Sequence, residues 1–516
     1  MGLLMDRIKL KKEIGLIMLV SLGVGNMIGS GIFALPAAMA SLAGPSLLLG
    51  IVAAGALALC LSLIYAELGS TFPISGGPYY FPRVAMGDLT GFLMGWGYFL
   101  YLFIGSAAII DIFIVYLGFY IPGLAVNGVL TAHGVTLAVV ALWAFTLINL
   151  HGVRWGGLYS IITTIGRLIP LFLFFAIGSF YVEFSNFSPF FPFGWENVAL
   201  SVALFFWSFT GFESIVVPIE EIKKPAKTIP WALVISILLT TLVYLLVTFV
   251  FIGMTRWSDG VKDWSNMAQI ASPLSQVAKD LHLSYLAVIA TIGAIIATGG
   301  SGGSWVLIQG RMPYAMAHDH LFWSPMAKIH PKYGTPAASL MFASLLTTII
   351  LIAITNFPSI VLIATSTVIV PYASAALSLA ILRTTKSDVE RPFRLPYASF
   401  LTLVGFIVSS FLIYWSSWPW NLVSIFLIFT GYPAFFVFKR QKVEFRRSLW
   451  LPVFLLGILL VSLLGDARFV TNNFTPWNPL GILSMPYDLV LLTLFSIGIY
   501  FWAYFENTKP IYWEKK

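Results

Sequence analysis

Charged residues and cysteines are scarce in this sequence, and both shortages narrow the class of protein. Only 10% of its 516 residues are charged, whereas soluble domains carry about 25%, so a soluble globular fold is excluded. The single cysteine, Cys60, excludes a disulfide framework and a thiolate metal centre. The six histidines form no H-E-x-x-H pattern and there are no paired aspartates. We therefore expect no metal site, no cofactor and no enzymatic activity.

Long apolar runs are the main feature that the sequence does have. Hydrophobic residues make up 59% of it, and the mean hydropathy is +0.91. A helix needs roughly 20 apolar residues to cross ~30 Å of hydrocarbon. The sequence therefore predicts an all-α polytopic membrane protein of about fourteen transmembrane helices. We number these helices 1 to 14, over residues 15–42, 46–70, 91–121, 133–150, 157–182, 197–221, 229–254, 282–316, 335–356, 359–383, 398–418, 421–439, 449–465 and 487–506.

Lysine and arginine are divided unevenly between the two sides of this arrangement. With the N-terminus inside, alternate connections and both termini hold 24 of the 29 basic residues, and Arg167 lies within a helix. Cytoplasmic loops of membrane proteins carry such an excess. The distribution predicts a multi-pass protein of the cell membrane with both termini in the cytoplasm. The net charge of +8 then reflects topology and does not indicate nucleic-acid binding.

Two of the predicted helices are interrupted at their middle by glycine, serine or threonine residues, which have a low propensity for the helical backbone. Helix 1 contains "GNMIGSGIFALP" at 25–36, where Gly29, Ser30 and Gly31 interrupt the apolar run. Helix 6 contains "LFFWSFTGFESIVVP" at 204–218, where Thr210 and Gly211 do the same. Matching interruptions five helices apart are typical of transporters with inverted repeats. We expect one repeat over 15–182, a second over 197–383, and additional helices over 398–506.

An interruption inside the membrane has a chemical consequence. It frees backbone N–H and C=O groups, which lipid cannot satisfy, so protein, water or a ligand must supply their partners. The free N–H groups at residues 29–31 suit a carboxylate, since they also lie at a positive helix end. The carbonyls freed near Phe209, Thr210 and Gly211 suit an ammonium group. Together the two interruptions fit the charged ends of an α-amino acid, although glycines also serve simply for close helix packing.

Five stretches resemble the amino acid–polyamine–organocation superfamily of transporters in their order along the chain. They are "GNMIGSGIFALP", "YAELGSTFPISGGPYYFPRVAMGDLTGFLMGW", "WSFTGFESIVVPIEEIKKPAKTIP", "GRMPYAMAHDHLFWSPMAKIHPKYGTPAASL" and "RPFRLP". The resemblance covers most of residues 15 to 440. It implies a core of five plus five helices in inverted repeats with helices 1 and 6 broken, alternating access, and an amino acid or related amine as substrate.

Within that superfamily the sequence is most similar to bacterial arginine–agmatine-type exchangers, of the basic amino acid and polyamine antiporter type. The similarity implies that Trp207 is the gate over the substrate, that Glu213 is the proton-coupling residue, and that Trp305 packs against the substrate side chain. Ser106 stands where that subgroup has an asparagine that contacts the guanidinium group. The resulting substrate-binding set is Asn26, Ile28, Gly29, Ser30, Gly31, Ser106, Trp207, Phe209, Thr210, Gly211 and Trp305.

Two further charges lie inside predicted helices, where each is costly. Arg167 in helix 5 falls where several family members carry a lysine that replaces a sodium ion. An arginine stays protonated, so there it would be a fixed cation, and the alternative is a structural role at helix-end carbonyls. Asp111 in helix 3 either contacts a cationic substrate or pairs with another residue. Subgroup similarity and Asp111 favour cationic substrates, whereas Ser106 favours neutral ones.

The expected function is secondary transport of amino acids, either by exchange or by proton-coupled symport. The alternative is a membrane sensor that binds amino acids without transporting them. The expected partners are the substrate and the lipid bilayer, without nucleic acid, and a homodimer is left open.

Overall fold

The computed structural model describes residues 14–74, 76–150, 156–217, 219, 222–257, 263–270, 272–416, 418–438, 445–465 and 479–509. The two chain termini, predicted to be cytoplasmic, and the predicted ends of helix 6 at residue 221 and of helix 12 at residue 439 lie outside these ranges. The membrane helices are helix 1 (Leu16–Met27 and Gly31–Ala43), 2 (Leu47–Thr71), 3 (Asp88–Leu117), 4 (Ala132–Leu150), 5 (Gly156–Gly178), 6 (Val198–Phe206, continued by 3₁₀ turns Trp207–Phe209 and Phe212–Val216), 7 (Pro225–Met254), 8 (Ser284–Gln309), 9 (Ala337–Ala353), 10 (Phe357–Thr385), 11 (Ala398–Trp415), 12 (Trp420–Phe429 and Gly431–Phe438), 13 (Trp450–Leu464) and 14 (Tyr487–Thr508).

Each helix predicted from the apolar runs has a counterpart in the described structure. Twelve helical segments are long and apolar enough to cross a membrane, the first of them joining the second half of helix 1 to helix 2. Two shorter apolar helices, the first half of helix 1 and helix 9, complete the set. The all-α polytopic fold with broken helices 1 and 6 is therefore confirmed. The division into two repeats and an additional unit stays a prediction.

The connections carry the remaining regular structure. A two-stranded antiparallel sheet between helices 3 and 4 pairs Ala125–Val126 with Val129–Leu130, with Ala125 opposite Leu130. Short α-helices lie between helices 2 and 3, between helices 7 and 8, and after helix 8, over Gly77–Met86, Pro273–Asp280 and Arg311–His318. Further 3₁₀ turns occur at Gly44–Ser46, Ser179–Tyr181, Phe184–Phe187, Trp195–Asn197, Trp264–Gln269, Ser324–Ala327 and Phe445–Ser448.

Helices 3 and 10 form the centre of the bundle. Their most apolar windows are 89% and 100% buried inside the protein, compared with 22% for helix 4 and 33% for helices 12 and 14. A helix that is apolar on all sides is buried in protein or lies against lipid. Hydropathy alone does not separate these two cases, so the sequence did not identify which helices are central.

A buried ion pair fastens the end of the bundle that is predicted to face the cytoplasm. Glu67 of helix 2 is fully buried and accepts hydrogen bonds from Arg383 Nε at 2.8 Å and from the Leu395 backbone N–H at 2.7 Å. Arg391 lies 3.4 Å from the same carboxylate. A buried carboxylate is tolerated only with such partners. Glu67 therefore ties the connection after helix 10 to helix 2.

Candidate functional site

The interruption of helix 1 begins with a tight turn centred on Ile28. Ile28 has φ −79° and ψ 73°, the values of an inverse γ-turn, and the Gly29 N–H donates to the Met27 carbonyl at 2.9 Å. The second half of the helix begins at Gly31, and its first N–H groups have no partner within the helix. Because Gly29 is already bonded, free N–H donors begin at Ser30, one residue later than the sequence suggests.

The interruption of helix 6 has the backbone of a type II turn. Thr210 has φ −65° and ψ 151°, and Gly211 has φ +103° and ψ −11°, which are close to the second and third positions of that turn. The third position requires positive φ, which favours glycine. The carbonyls of Phe209 and Thr210 accept no backbone hydrogen bond outside regular helices among the described residues.

The two interruptions pack directly against each other. Asn26 donates from Nδ2 to Ser214 Oγ at 2.6 Å, and Ser214 Oγ donates to the Gly211 carbonyl at 2.5 Å. A Cβ on Gly211 would lie 3.1 Å from Asn26 Cβ. Similarly, a Cβ on Gly31 would lie 1.9 Å from Ser208 Oγ. Both glycines therefore permit backbone approach between helices 1 and 6.

Two small cavities lie where the interruptions meet, each of about 10 Å³, close to the space that one water molecule needs. Asn26 and Trp305 border both of them. The first is lined by Asn26, Met27, Gly29, Ser30, Ile109, Trp207, Thr210 and Trp305. The second is lined by Asn26, Tyr98, Tyr101, Leu102, Gly211, Glu213, Ser214, Trp305 and Ile308. An amino acid enters this space only when side chains move.

Aromatic side chains form one wall of this space. The rings of Trp207 and Trp305 have centroids 5.5 Å apart, and Tyr101 of helix 3 contacts both, at 6.1 Å and 4.9 Å. Trp207 donates from its indole N–H to Ser30 Oγ at 3.2 Å. The two tryptophans singled out by the sequence are thus neighbours, and Trp207 is linked to the interruption of helix 1.

Glu213 is buried and fully engaged beside the interruption of helix 6. Its Oε2 accepts hydrogen bonds from Tyr372 OH at 2.6 Å and from the Gly211 N–H at 3.0 Å. Its Oε1 accepts one from Tyr98 OH at 3.3 Å. The carboxylate therefore connects helices 3, 6 and 10, and any change in its charge acts on three helices together.

Arg167 of helix 5 reaches the carbonyl groups of the broken helix 1. Its Nη1 donates to the carbonyls of Gly25 and Ile28, the latter at 2.9 Å, and to Ser301 Oγ at 2.9 Å. Its Nε donates to the Thr163 carbonyl at 3.0 Å. The sequence suggested two roles for Arg167, a fixed cation or a structural partner of helix-end carbonyls. Both are compatible with this geometry, because a cation here also satisfies those carbonyls.

Four other predicted site residues line neither cavity, namely Ile28, Gly31, Ser106 and Phe209. Ser106 donates to the Leu102 carbonyl of its own helix at 2.8 Å. Phe209 packs on Phe205 and Tyr244, with ring centroids 5.9 and 5.4 Å away. Ile28 contributes its carbonyl to Arg167. The structure therefore does not bring the side chains of Ser106 and Phe209 into the described cavities.

Asp111 is buried in helix 3 outside both cavities, and neither of its carboxylate oxygens has a hydrogen-bond partner among the described residues. An ionised carboxylate would be costly in such a place. We expect Asp111→Asn to leave amino acid exchange in proteoliposomes within about twofold of the unaltered rate. A loss of substrate affinity of about tenfold or more would instead indicate that Asp111 contacts the substrate.

Tyr244 of helix 7 links the two interruptions, although the sequence gave no reason to select it. Its buried hydroxyl lies 2.7 Å from the Met27 carbonyl and 2.9 Å from the Ser208 carbonyl. Tyr98, Tyr101 and Tyr372 were likewise not selected. Single aromatic residues on membrane helices usually belong to packing or to the interfacial belt, so their contacts become visible only in three dimensions.

Tyr244→Phe should slow exchange about tenfold, which corresponds to about 1.4 kcal/mol, since the one hydroxyl hydrogen that the two buried carbonyls share is lost. Initial rates in proteoliposomes and the melting temperature in detergent measure the effect. Tyr487→Phe, on a side chain that is 68% exposed, is the control and should match the unaltered protein. Equal rates for Tyr244→Phe and this control would contradict a linking role.

The chain is similar to known amino acid transporters over most of its length. The family model described as amino acid permease matches residues 14–425. The glutamate/serine transporter AimA of Bacillus subtilis is 28% identical over 520 residues, covering 96% of this chain and 94% of the relative. The aspartate-proton symporter of the same organism is 28% identical, covering 96% of each chain. Its branched-chain amino acid permease BcaP is 28% identical, covering 85% of this chain and 95% of the relative. The predicted similarity to basic amino acid and polyamine antiporters stays a prediction, since these three relatives are named for other amino acids.

Proposed function

Since the chain belongs to the amino acid permease family, we propose that it carries amino acids across the cell membrane by alternating access, as an exchanger or a proton-coupled symporter. Both termini then lie in the cytoplasm, as the distribution of basic residues predicts. The observation that supports this best is that the interruptions of helices 1 and 6 border the same small cavities.

The carboxylate of the substrate binds at the start of the second half of helix 1. The N–H groups of Ser30 and Gly31 lie at the positive end of that half-helix. The Ser30 hydroxyl adds a donor, and the Trp207 indole N–H that bonds to its oxygen strengthens that donor by polarising it. Closure of Trp207 and binding of the carboxylate therefore favour each other.

The ammonium group of the substrate binds at the turn in helix 6. The carbonyls of Phe209 and Thr210 are acceptors there that no described backbone N–H outside regular helices occupies. Asn26 is already bonded to Ser214, so it fixes the spacing between the two interruptions. In this arrangement Trp207 is the gate, and Trp305 borders the substrate side chain.

The coupling of transport to protons or other cations depends on Glu213 and Arg167. Glu213 is the residue whose protonation would alter contacts with helices 3 and 10, because both tyrosines donate to it. Arg167 supplies a fixed positive charge to the carbonyls of helix 1, a place where a monovalent cation would otherwise serve. Transport therefore proceeds without sodium.

Uptake into proteoliposomes tests the proposal. Purified protein is reconstituted into vesicles that are empty or preloaded with unlabelled amino acids, and a panel of labelled amino acids is added outside. Empty vesicles are run with and without an inward proton gradient, and protein-free vesicles are the control. Accumulation only in preloaded vesicles identifies an exchanger, and gradient-driven accumulation in empty vesicles identifies a symporter. Saturable binding without flux under every condition would contradict transport.

A further inference from the structure

Helix 3 limits the space available to the substrate side chain. Tyr101 contacts both tryptophans, and Ile109, two turns further along, lines the first cavity. The Tyr101 hydroxyl is buried near Thr210 but makes no hydrogen bond of normal geometry with any described residue. Most of the wall beside the tryptophans is therefore apolar, with this one hydroxyl at its edge.

Gly105 lies between these two residues on the same face of helix 3. A Cβ on Gly105 would lie 2.4 Å from Trp305 Cζ3 and 3.0 Å from Trp207 Cη2. Real Cβ atoms essentially never show the first distance, and the second is a tight contact, so a side chain at position 105 would displace the Trp305 indole and press against that of Trp207. The present position of the tryptophans thus depends on the absence of a side chain at this one residue.

The charges around the cavities restrict the substrate further. Among the described residues, no lysine, arginine or histidine lines either cavity, and Glu213 is the one acidic residue that does. Both Glu213 oxygens already accept hydrogen bonds from Tyr98, Tyr372 and the Gly211 N–H. An acidic side chain would find no cation here and would be desolvated without compensation. A basic side chain would have to compete for Glu213 with the three donors that already hold it.

We propose that the protein selects neutral amino acids and that Gly105 and Ile109 set the size of side chain accepted. The proposal rests on the function proposed above and names its substrate class. Because Gly105 has no side chain, the two indoles pack directly against helix 3, and Ile109 fills the remaining space beside them. The substrate side chain lies against Tyr101, Trp207, Trp305 and Ile109.

Counterflow in proteoliposomes containing the full chain tests the substrate class. We expect neutral amino acids, represented by alanine and leucine, to exchange at least ~10-fold faster than glutamate, aspartate, arginine and lysine. Comparable rates for a charged amino acid would overturn the selection of neutral substrates while leaving amino acid transport intact. Absence of exchange for every amino acid would instead overturn the proposed function.

Two variants with opposite expected effects test the size limit. Gly105→Ala pushes the indoles into the cavity and should lower the ratio of leucine to alanine exchange at least ~5-fold, whereas Ile109→Ala enlarges the cavity and should raise it by a similar factor. Val115→Ala is the matched control and should leave the ratio unchanged, because Val115 is a buried residue of the same helix that lines neither cavity. An unchanged ratio in Gly105→Ala that remains monodisperse in detergent would overturn the role of Gly105. An unchanged ratio in Ile109→Ala would do the same for Ile109, even if Gly105→Ala fails to fold.

Discussion

Gly211→Ala should reduce amino acid exchange at least ~100-fold, which corresponds to about 2.7 kcal/mol. The residue has φ +103°, where an L-residue is strained by about 1–3 kcal/mol. The added Cβ would also lie 3.1–3.2 Å from Asn26 Cβ and from its backbone C and O atoms. Because Asn26 lies in the last turn of helix 1 before its interruption, relief of this contact would move helices 1 and 6 apart at the site. Initial rates of counterflow in proteoliposomes measure the loss.

Controls separate this effect from a general response to replacing glycine. Gly498→Ala places a Cβ where nothing lies within 4 Å and where φ is not in the left-handed range, so it should exchange at the unaltered rate. Gly211→Asn introduces a residue that adopts positive φ more readily but keeps the close contact with Asn26. We expect it to be as inactive as Gly211→Ala. Full activity of Gly211→Asn would show that conformation alone limits this position.

Arg167→Ala should lower exchange at least ~20-fold and also lower the melting temperature, because buried carbonyls without partners cost roughly 1–3 kcal/mol each. Arg167 donates to the carbonyls of Gly25 and Ile28 on either side of the point where helix 1 ends. It also holds Ser301 of helix 8. Its removal therefore weakens the attachment of helix 5 to both helix 1 and helix 8.

Two further measurements test Arg167 as a fixed cation, the variant Arg167→Lys and the replacement of sodium by choline in the buffer. Lysine keeps the charge but lacks the planar fork of donors, so we expect about a tenfold loss relative to arginine. Uptake by the unaltered protein should be the same in sodium and in choline buffers. Exchange by Arg167→Ala within about threefold of the unaltered rate, or dependence of the unaltered protein on sodium, would contradict the role of a fixed cation.

The sequence was most informative where backbone conformation depends on residue type. Gly29, Ser30 and Gly31 in one apolar run, and Thr210 and Gly211 in another, predicted both interruptions. Gly211 has the positive φ that favours glycine, whereas Gly31 permits close approach to Ser208. The length of each apolar run predicted the membrane helices equally well. The position of the free N–H groups could not be predicted from the sequence, because the hydrogen bond from Gly29 to Met27 depends on the turn at Ile28.

Side-chain direction was the part that the sequence did not supply. Successive residues of a helix are turned by about 100°, so Gly105 faces the tryptophans while Ser106 bonds to its own helix. Without the packing of helix 3, neither residue could be chosen over the other. Tyr244 was missed for a related reason, because its role depends on carbonyl groups from two distant helices.

The small volume of the two cavities has a consequence for measured affinity. The arrangement described here must give way to a roomier one before an amino acid binds, and only the fraction of molecules in that roomier state is competent. The apparent dissociation constant is the intrinsic constant divided by that fraction. Part of the binding free energy is therefore spent on rearranging the protein. Substitutions that favour the roomier state will tighten binding even when they remove a contact with the substrate.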